Sequence, residues 1–168
     1  MDPETKKTVL RIIPFGIYVI TAQTDGGAIA AATVNWVTQS SFDPPLIVVA
    51  VKADSGALQA IAESWHFAMN FLGKGQQGQA FAFFKPTAVE DGTINGEPYR
   101  SGSTGAPILE GVPASIECRL DDVIARGDHH IVIDELVDAH LGGGPVDGRP
   151  NEAGLHMNEL GENVFYGG

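Results

Sequence analysis

The sequence predicts a mainly β fold, an antiparallel Greek-key barrel with a few short helices. Three observations predict it. Five or six runs read as strands, helical periodicity is confined to short segments, and most strands follow one another without the crossover helix that a doubly wound sheet needs. At 168 residues and 43% hydrophobic content the chain suits one domain, 1–168, with a substantial core.

Asp2, Pro3 and Glu4 combine an N-cap, a first-turn proline and an acid matched to the helix dipole. They start a short helix with Val9, Leu10 and Ile13 on one face, expected to cap the barrel. Ile17 to Thr24 reads as a strand, Asp25-Gly26-Gly27 as a tight turn and Ala28 to Trp36 as the returning strand of a hairpin. Thr33 to Pro45 then leaves that strand for a hydroxyl- and amide-rich loop stopped by Pro44-Pro45, and Leu46 to Lys52 is the next strand. Ser55 is placed to cap a helix with Leu58, Ile61, Ala62 and Trp65 at helical spacing, and Phe67 to Leu72 follows as a strand.

Gln76 to Phe84 reads as a second short helix with Ala80, Phe81 and Phe84 on one side, ended by Lys85-Pro86. Residues 87 to 107 show little periodicity and contain Gly92, Gly96, Gly102 and Gly105, so they read as a long structureless connection, a candidate mobile lid. Ser115 to Ile124 alternates, with Ile116, Cys118 and Leu120 on one face and Glu117, Arg119 and Asp121 on the other. Ile131 to Ala139 supplies a further strand, and Gly142-Gly143-Gly144-Pro145 marks a loop.

A formal charge of −11 with only ten Lys plus Arg argues against a nucleic-acid or anionic-membrane surface, so any anionic ligand has to be bound locally. The single Cys118 excludes an internal disulfide and fits a reducing compartment. The polar N-terminus has no signal-peptide character and no apolar run reaches the ~20 residues of a span, so a cytoplasmic location is expected. No G-x-G-x-x-G follows a strand. The five His are scattered, and adjacent His129 and His130 point to opposite strand faces, so no metal site is expected. No Ser, His and Asp arrangement or acid pair with a local signature supports hydrolysis.

Thr33-Val34-Asn35-Trp36, with Ser41, Asp43-Pro44-Pro45 and Leu46 behind, resembles a run of the flavin reductase-like family of FMN-binding split barrels. Further matching pieces follow in the family's order: Ile13 to Thr21, Phe67 to Leu72, Thr104 to Gly111, Ile116 to Cys118 and Gly127 to Ile133. The resemblance covers most of the chain. It implies a split barrel, FMN as cofactor with FAD possible at the same site, NADH or NADPH as reductant, and a homodimer.

The resemblance also distributes roles. FMN needs a phosphate cradle, partners for the pyrimidine edge and a flat apolar slot. Lys52 and Ser55 lie at a strand-to-helix turn whose free amides suit a phosphate, although Ser55 also reads as a plain N-cap and Lys52 as a solvated charge. Thr33, Val34, Asn35, Trp36 and Val37 are the candidates for the ring edge, with Ser40 and Ser41 behind them. His129, in the family's G-D-H position, is the one candidate catalytic side chain. Tyr99 and Arg100 are the lid residues best suited to meet a nicotinamide.

The implied activity is hydride transfer from the nicotinamide to flavin, with a monooxygenase or another electron-accepting protein downstream. Such a reaction needs little acid-base help, so no conspicuous catalytic motif is expected. A non-enzymatic FMN electron carrier is the alternative, and a deazaflavin-dependent reductase on a related barrel a third.

Overall fold

The computed structural model describes residues 1–143 and 148–167, so Gly144 and Pro145 of the expected loop lie outside the described residues. The strands in chain order are β1 (Tyr18–Gln23), β2 (Ile29–Val34), β3 (Val37–Ser41), β4 (Leu46–Lys52) and β5 (His66–Phe71). Four short ones follow, β6 (Val89–Glu90), β7 (Thr93–Ile94), β8 (Glu97–Ser101) and β9 (Pro107–Leu109), then the long β10 (Ala114–Ile124) and β11 (His129–Leu141). The helices are α1 (Pro3–Leu10), α2 (Gly56–Ser64), α3 (Gln77–Ala82) and the single turn α4 (Pro150–Ala153).

Seven strands form one antiparallel sheet in the order β2-β1-β5-β10-β11-β4-β3. Its two edge strands, β2 and β3, are consecutive in the chain and separated only by Asn35 and Trp36. A residue spans at most about 3.6 Å, so the sheet has to curl until its edges meet. The meeting point carries a hydrogen bond from the Ala50 amide to the Trp36 carbonyl, 2.9 Å. The result is the barrel the sequence predicts, with one difference at its seam. Residues 37 to 41, expected as loop, form strand β3 paired with β4 from Val37↔Val49 to Ser41↔Leu46.

The barrel interior is closed by α2, whose Ala57, Leu58, Ala60 and Ile61 join Ile20, Val49, Val51, Met69, Cys118 and Val132 in one apolar cluster. Ser55 caps this helix by accepting the Leu58 amide at 3.2 Å. Trp65, expected on the buried face, instead ends the helix in a left-handed conformation (φ 61°) with its ring 57% exposed. Ala62 is exposed as well, because the buried stripe falls one residue earlier than expected. On α3 the same shift buries Phe83 and leaves Phe81 and Phe84 partly exposed. Helix α1 has the expected Asp2 cap, with the Thr5 amide 2.7 Å from Oδ2, but it buries no residue and does not cap the barrel.

Residues 87 to 107 correct the expectation of a structureless lid. They build strands β6 to β8 and enter β9, a small antiparallel sheet layered on the outside of the barrel. Two dipeptides make its turns: Asp91-Gly92 (φ 48° and 77°) and Asn95-Gly96 (φ 51° and 86°) have the paired positive φ of tight two-residue hairpins. The sheet is pinned by buried polar groups. Asn70 on β5 donates to the Val19 carbonyl (3.0 Å) and accepts the Leu109 amide (2.9 Å), while the Thr21 hydroxyl donates to the Pro107 carbonyl. Thr87 exchanges two hydrogen bonds with the Ala31 backbone, and Ile94 is fully buried in a second apolar cluster with Leu72, Phe83 and Leu155.

Two buried carboxyls sit on the long hairpin β10–β11. Glu117, expected on the polar face, is fully buried and accepts the amides of Ser103 (2.9 Å) and Thr104 (2.7 Å), both their hydroxyls, and His140 Nε2 (2.8 Å). Burial opposes its ionisation, but the Thr104 hydroxyl, the two amides and His140 outweigh it and hold the carboxyl at about 2. Gly102 allows the approach, since a Cβ there would lie 2.5 Å from this carboxylate.

Asp134, 0% exposed, has no hydrogen-bond partner among the described residues. Burial, reinforced by Asp121, pushes it up to about 8, so it is mainly protonated at neutral pH. The unfolded chain ionises this group near 3.8, so between that pH and about 8 the folded state binds the extra proton. Stability therefore falls as pH rises through that window and levels off above it. Asp134→Asn is expected to flatten the fall and to raise the melting temperature relative to the parent at pH 9, as read by thermal denaturation from pH 5 to 9. An unchanged pH profile would mean that Asp134 is not the titrating group.

Candidate functional site

Barrel closure creates a cavity of about 350 Å³ at the seam. One wall is the end of β2, with Ala32, Thr33, Val34 and Asn35, and Ile17 beside it. Lys52 and Ser55 stand at one end, where β4 turns into α2. Phe83 and Phe84, just after α3, and the C-terminal residues Val164, Phe165 and Tyr166 complete the enclosure.

Five of the expected site residues are therefore brought together: Thr33, Val34, Asn35, Lys52 and Ser55. Thr33 is also tied to α3, its hydroxyl donating to the Ala80 carbonyl (2.8 Å) and its amide to that of Phe83 (3.3 Å). Asn35 is nearly buried and its Nδ2 donates to the Tyr166 carbonyl at 3.2 Å. Trp36 and His129 are adjacent to this group without lining the cavity. Their rings meet at 4.7 Å, and Trp36 also packs on Tyr166 at 5.6 Å.

The other expected residues lie elsewhere. Val37 packs against the barrel core, and Ser40 and Ser41 run along the edge strand β3, away from the cavity. Tyr99 and Arg100 are on β8 in the outer sheet, where Tyr99 packs on the second apolar cluster and Arg100 is exposed. Neither they nor any other residue of 87 to 107 lines the cavity. Sequence reasoning missed Phe83 and Phe84 as cavity walls, and Val164, Phe165 and Tyr166 with them. The Pro86 stop signals the end of α3 but nothing in its pattern marks a ligand wall.

The electrostatics of the site are those of a few local pairs. Lys52 Nζ lies 2.9 Å from Asp54 Oδ1, and this hydrogen bond raises the lysine's pKa and lowers that of Asp54. His129 is bonded at both nitrogens, Nδ1 to Asp128 Oδ1 (2.9 Å) and Nε2 to the Tyr166 hydroxyl (2.6 Å). The bond to His129 holds Asp128 below the usual carboxylate range.

These features fit an FMN-like ligand at each end. A cavity of this size is in the range of small-ligand sites, and its long wall is apolar. At the α2 start the amides of Gly56 and Ala57 have no acceptor within the helix. A Cβ built on Gly56 would meet no atom within 4 Å, so the space beside its Cα is open.

Residues 10–158 match the profile of the flavin reductase like domain. The chain belongs to the flavin reductase-like family. A relative described as a probable flavin reductase, from Rhizobium meliloti strain 1021, is 33% identical over 132 residues, 79% of this chain but only 42% of its own length. The chain thus spans less than half of that protein. Among solved structures, the NADH:FAD oxidoreductase of Streptomyces globisporus C-1027 superposes with a TM-score of 0.70 at 26% identity, covering 84% of this chain and 85% of that one. The styrene monooxygenase flavin reductase of Pseudomonas putida S12 superposes with a TM-score of 0.69 at 25% identity, covering 82% and 86%. The flavin reductase-like fold thus extends over the barrel, the outer sheet and the seam that holds the cavity.

Proposed function

We propose that this chain is an NAD(P)H-dependent flavin reductase, acting as a single unit over residues 1–168, with FMN as the preferred flavin and FAD accepted at the same turn. The observation that carries this reading is the single cavity that has Asn35 on its polar wall, Phe83 and Phe84 on its apolar one, and Lys52 with Ser55 at its end. The names of its relatives point the same way.

Bound in that cavity, a flavin would supply the electron chemistry by accepting a hydride from the nicotinamide. The chain's own residues would bind it, orient it and keep out water. Lys52, Ser55 and the amides of Gly56 and Ala57 at the α2 start would hold its phosphate. Asn35 Nδ2 and the Thr33 to Val34 backbone would hold the ring edge. Ile17, Val34 and Phe83 exclude water from the reacting face. His129, held by Asp128 at Nδ1 and by the Tyr166 hydroxyl at Nε2, meets Trp36 edge-on and borders the site. Ser40, Ser41, Tyr99 and Arg100 have no part in this reading.

The reduced flavin would serve a partner oxygenase, in the manner that the name of the styrene monooxygenase reductase indicates. The described residues contain no helix long and apolar enough to cross a membrane, and a cytoplasmic setting accords with the buried, unreactive Cys118, whose thiol burial pushes up. We further propose a homodimer. Helix α1 and the residues after it support it, since Val9 and Leu10 on the helix and Ile12 and Ile13 beyond it are 40–75% exposed.

Purified protein should bind FMN with micromolar affinity or better, and its oxidised-flavin absorbance should bleach on anaerobic addition of NADH or NADPH. Binding without bleaching would make the chain an electron carrier. The double variant K52A/S55A should bind FMN at least about tenfold more weakly. Unchanged affinity would move the phosphate elsewhere. Light scattering should show a particle of twice 17.7 kDa, and Ile12→Glu should shift it toward the monomer; a parent that is monomeric with flavin bound would contradict the dimer.

A further inference from the structure

The segment from Val164 to Gly167 crosses the cavity and is weakly built into the fold. It belongs to no strand or helix, and Phe165 and Tyr166 remain 50% and 46% exposed. Its long-range contacts are the Tyr166 hydroxyl on His129 Nε2, the Tyr166 carbonyl on Asn35 Nδ2, Arg11 Nε on the Gly167 carbonyl (3.5 Å) with its guanidinium 4.0 Å over the Phe165 ring, Tyr166 against Trp36, and Val164 on the second apolar cluster. Gly161, with a φ of 134°, precedes it and Gly167, with a φ of 108°, lies within it, both in conformations that favour glycine.

The segment also separates two cavities. On one side lies the 350 Å³ seam cavity and on the other a larger one of about 660 Å³, and Met157, Val164, Phe165 and Tyr166 line both. Moving the segment outward would join them into one cleft. Asn35 Nδ2 is the donor assigned above to the flavin's ring edge, and here it is bonded to a peptide carbonyl of the same chain. A peptide carbonyl and a ring carbonyl are the same kind of acceptor, and of the two hydrogens on Asn35 Nδ2 the one bonded to the Tyr166 carbonyl is withheld from a ring carbonyl.

Resting on the flavin reading, we propose that residues 164–167 form a displaceable strap in which the Tyr166 carbonyl occupies the place of the ligand's ring carbonyl on Asn35. The Tyr166–His129 hydrogen bond is its latch. Flavin enters when the strap swings out, so the apparent affinity is reduced by the fraction of molecules with the strap closed. The latch stands on the same strand as the G-D-H motif, which gives Asp128 and His129 a task separate from touching the ligand.

The test uses the full chain with Trp65→Phe, so that Trp36, which packs on Tyr166 and His129, is the sole tryptophan. Two strap variants are made in it, Tyr166→Phe, which removes only the latch hydroxyl, and F165G/Y166G, which removes the rings. Without ligand, both should shift Trp36 emission to the red and increase its quenching by acrylamide. With FMN, titrated by loss of flavin fluorescence, Tyr166→Phe should bind about threefold to tenfold more tightly, the scale of one lost hydrogen bond. FMN that binds all three chains equally, or binds the strap variants more weakly, overturns the strap and leaves the flavin reading intact; weaker binding would make Tyr166 part of the ligand's wall. Failure of FMN to bind any of the three removes the flavin reading and the proposal with it.

Discussion

The two-residue link between β2 and β3 is the constraint on which the rest of this structure depends. Asn35 and Trp36 join opposite edges of a seven-stranded sheet, so the sheet cannot lie open. Closure leaves an interior too wide for strand side chains alone, and α2 fills it with Leu58 and Ile61. Because α2 enters from the end of β4, its capped N-terminus arrives beside the seam, and the same link that shuts the barrel supplies the polar wall of the cavity. The site is thus a by-product of closure. A substitution that loosened the seam would be felt in the core and in the cavity together.

Around that barrel, buried polar groups decide which segments are fixed. Asn70 and Thr21 fasten the outer sheet to the barrel, and Glu117 gathers Ser103 and Thr104 against β10. Each has its hydrogen-bonding capacity filled, which is what makes such groups economical inside a protein. The outer sheet is therefore a second layer fastened to the barrel. Asp134 is the exception, a carboxyl kept neutral inside the barrel because nothing near it can receive its charge. The movable part of the molecule is at the other extreme of the chain, in a tail with half-exposed rings.

Much of the architecture was legible in the sequence. The hairpin of β1 and β2, the Ser55 cap and the alternation of β10 rest on local periodicity and capping chemistry, which survive in the folded state. The run from Thr33 to Asn35 and the turn from Lys52 to Ser55 were read as parts of one site, and closure does put them on one cavity. The failures have physical causes. Ser40 and Ser41 were assigned to a loop because polar composition was read as absence of pairing, whereas an edge strand tolerates such residues on its open side. The connection from Thr87 to Pro107 looked aperiodic because its strands are two to five residues long, too short for alternation to register; the Asp91-Gly92 and Asn95-Gly96 dipeptides were the available signal. Helix α1 has an apolar face in sequence but buries no residue, and periodicity reports the face without saying what meets it. The return of Val164 to Tyr166 across the seam is a long-range contact with no local signature.

Among the described residues that line the cavity Lys52 is the one with a formal positive charge, and it is shared with Asp54, on a chain whose formal charge is −11. Flavin phosphates and nicotinamide dinucleotides are both anions, so each approaches against the field of the whole molecule. Added salt shortens the reach of that field, from about 30 Å at 0.01 M to about 10 Å at 0.1 M. Encounter should therefore quicken as ionic strength rises, opposite to the behaviour of enzymes that draw in anionic ligands with a basic surface. For such an acidic protein, discrimination falls to contacts made after arrival, and its rates are set as much by the electrolyte around it as by the cavity itself.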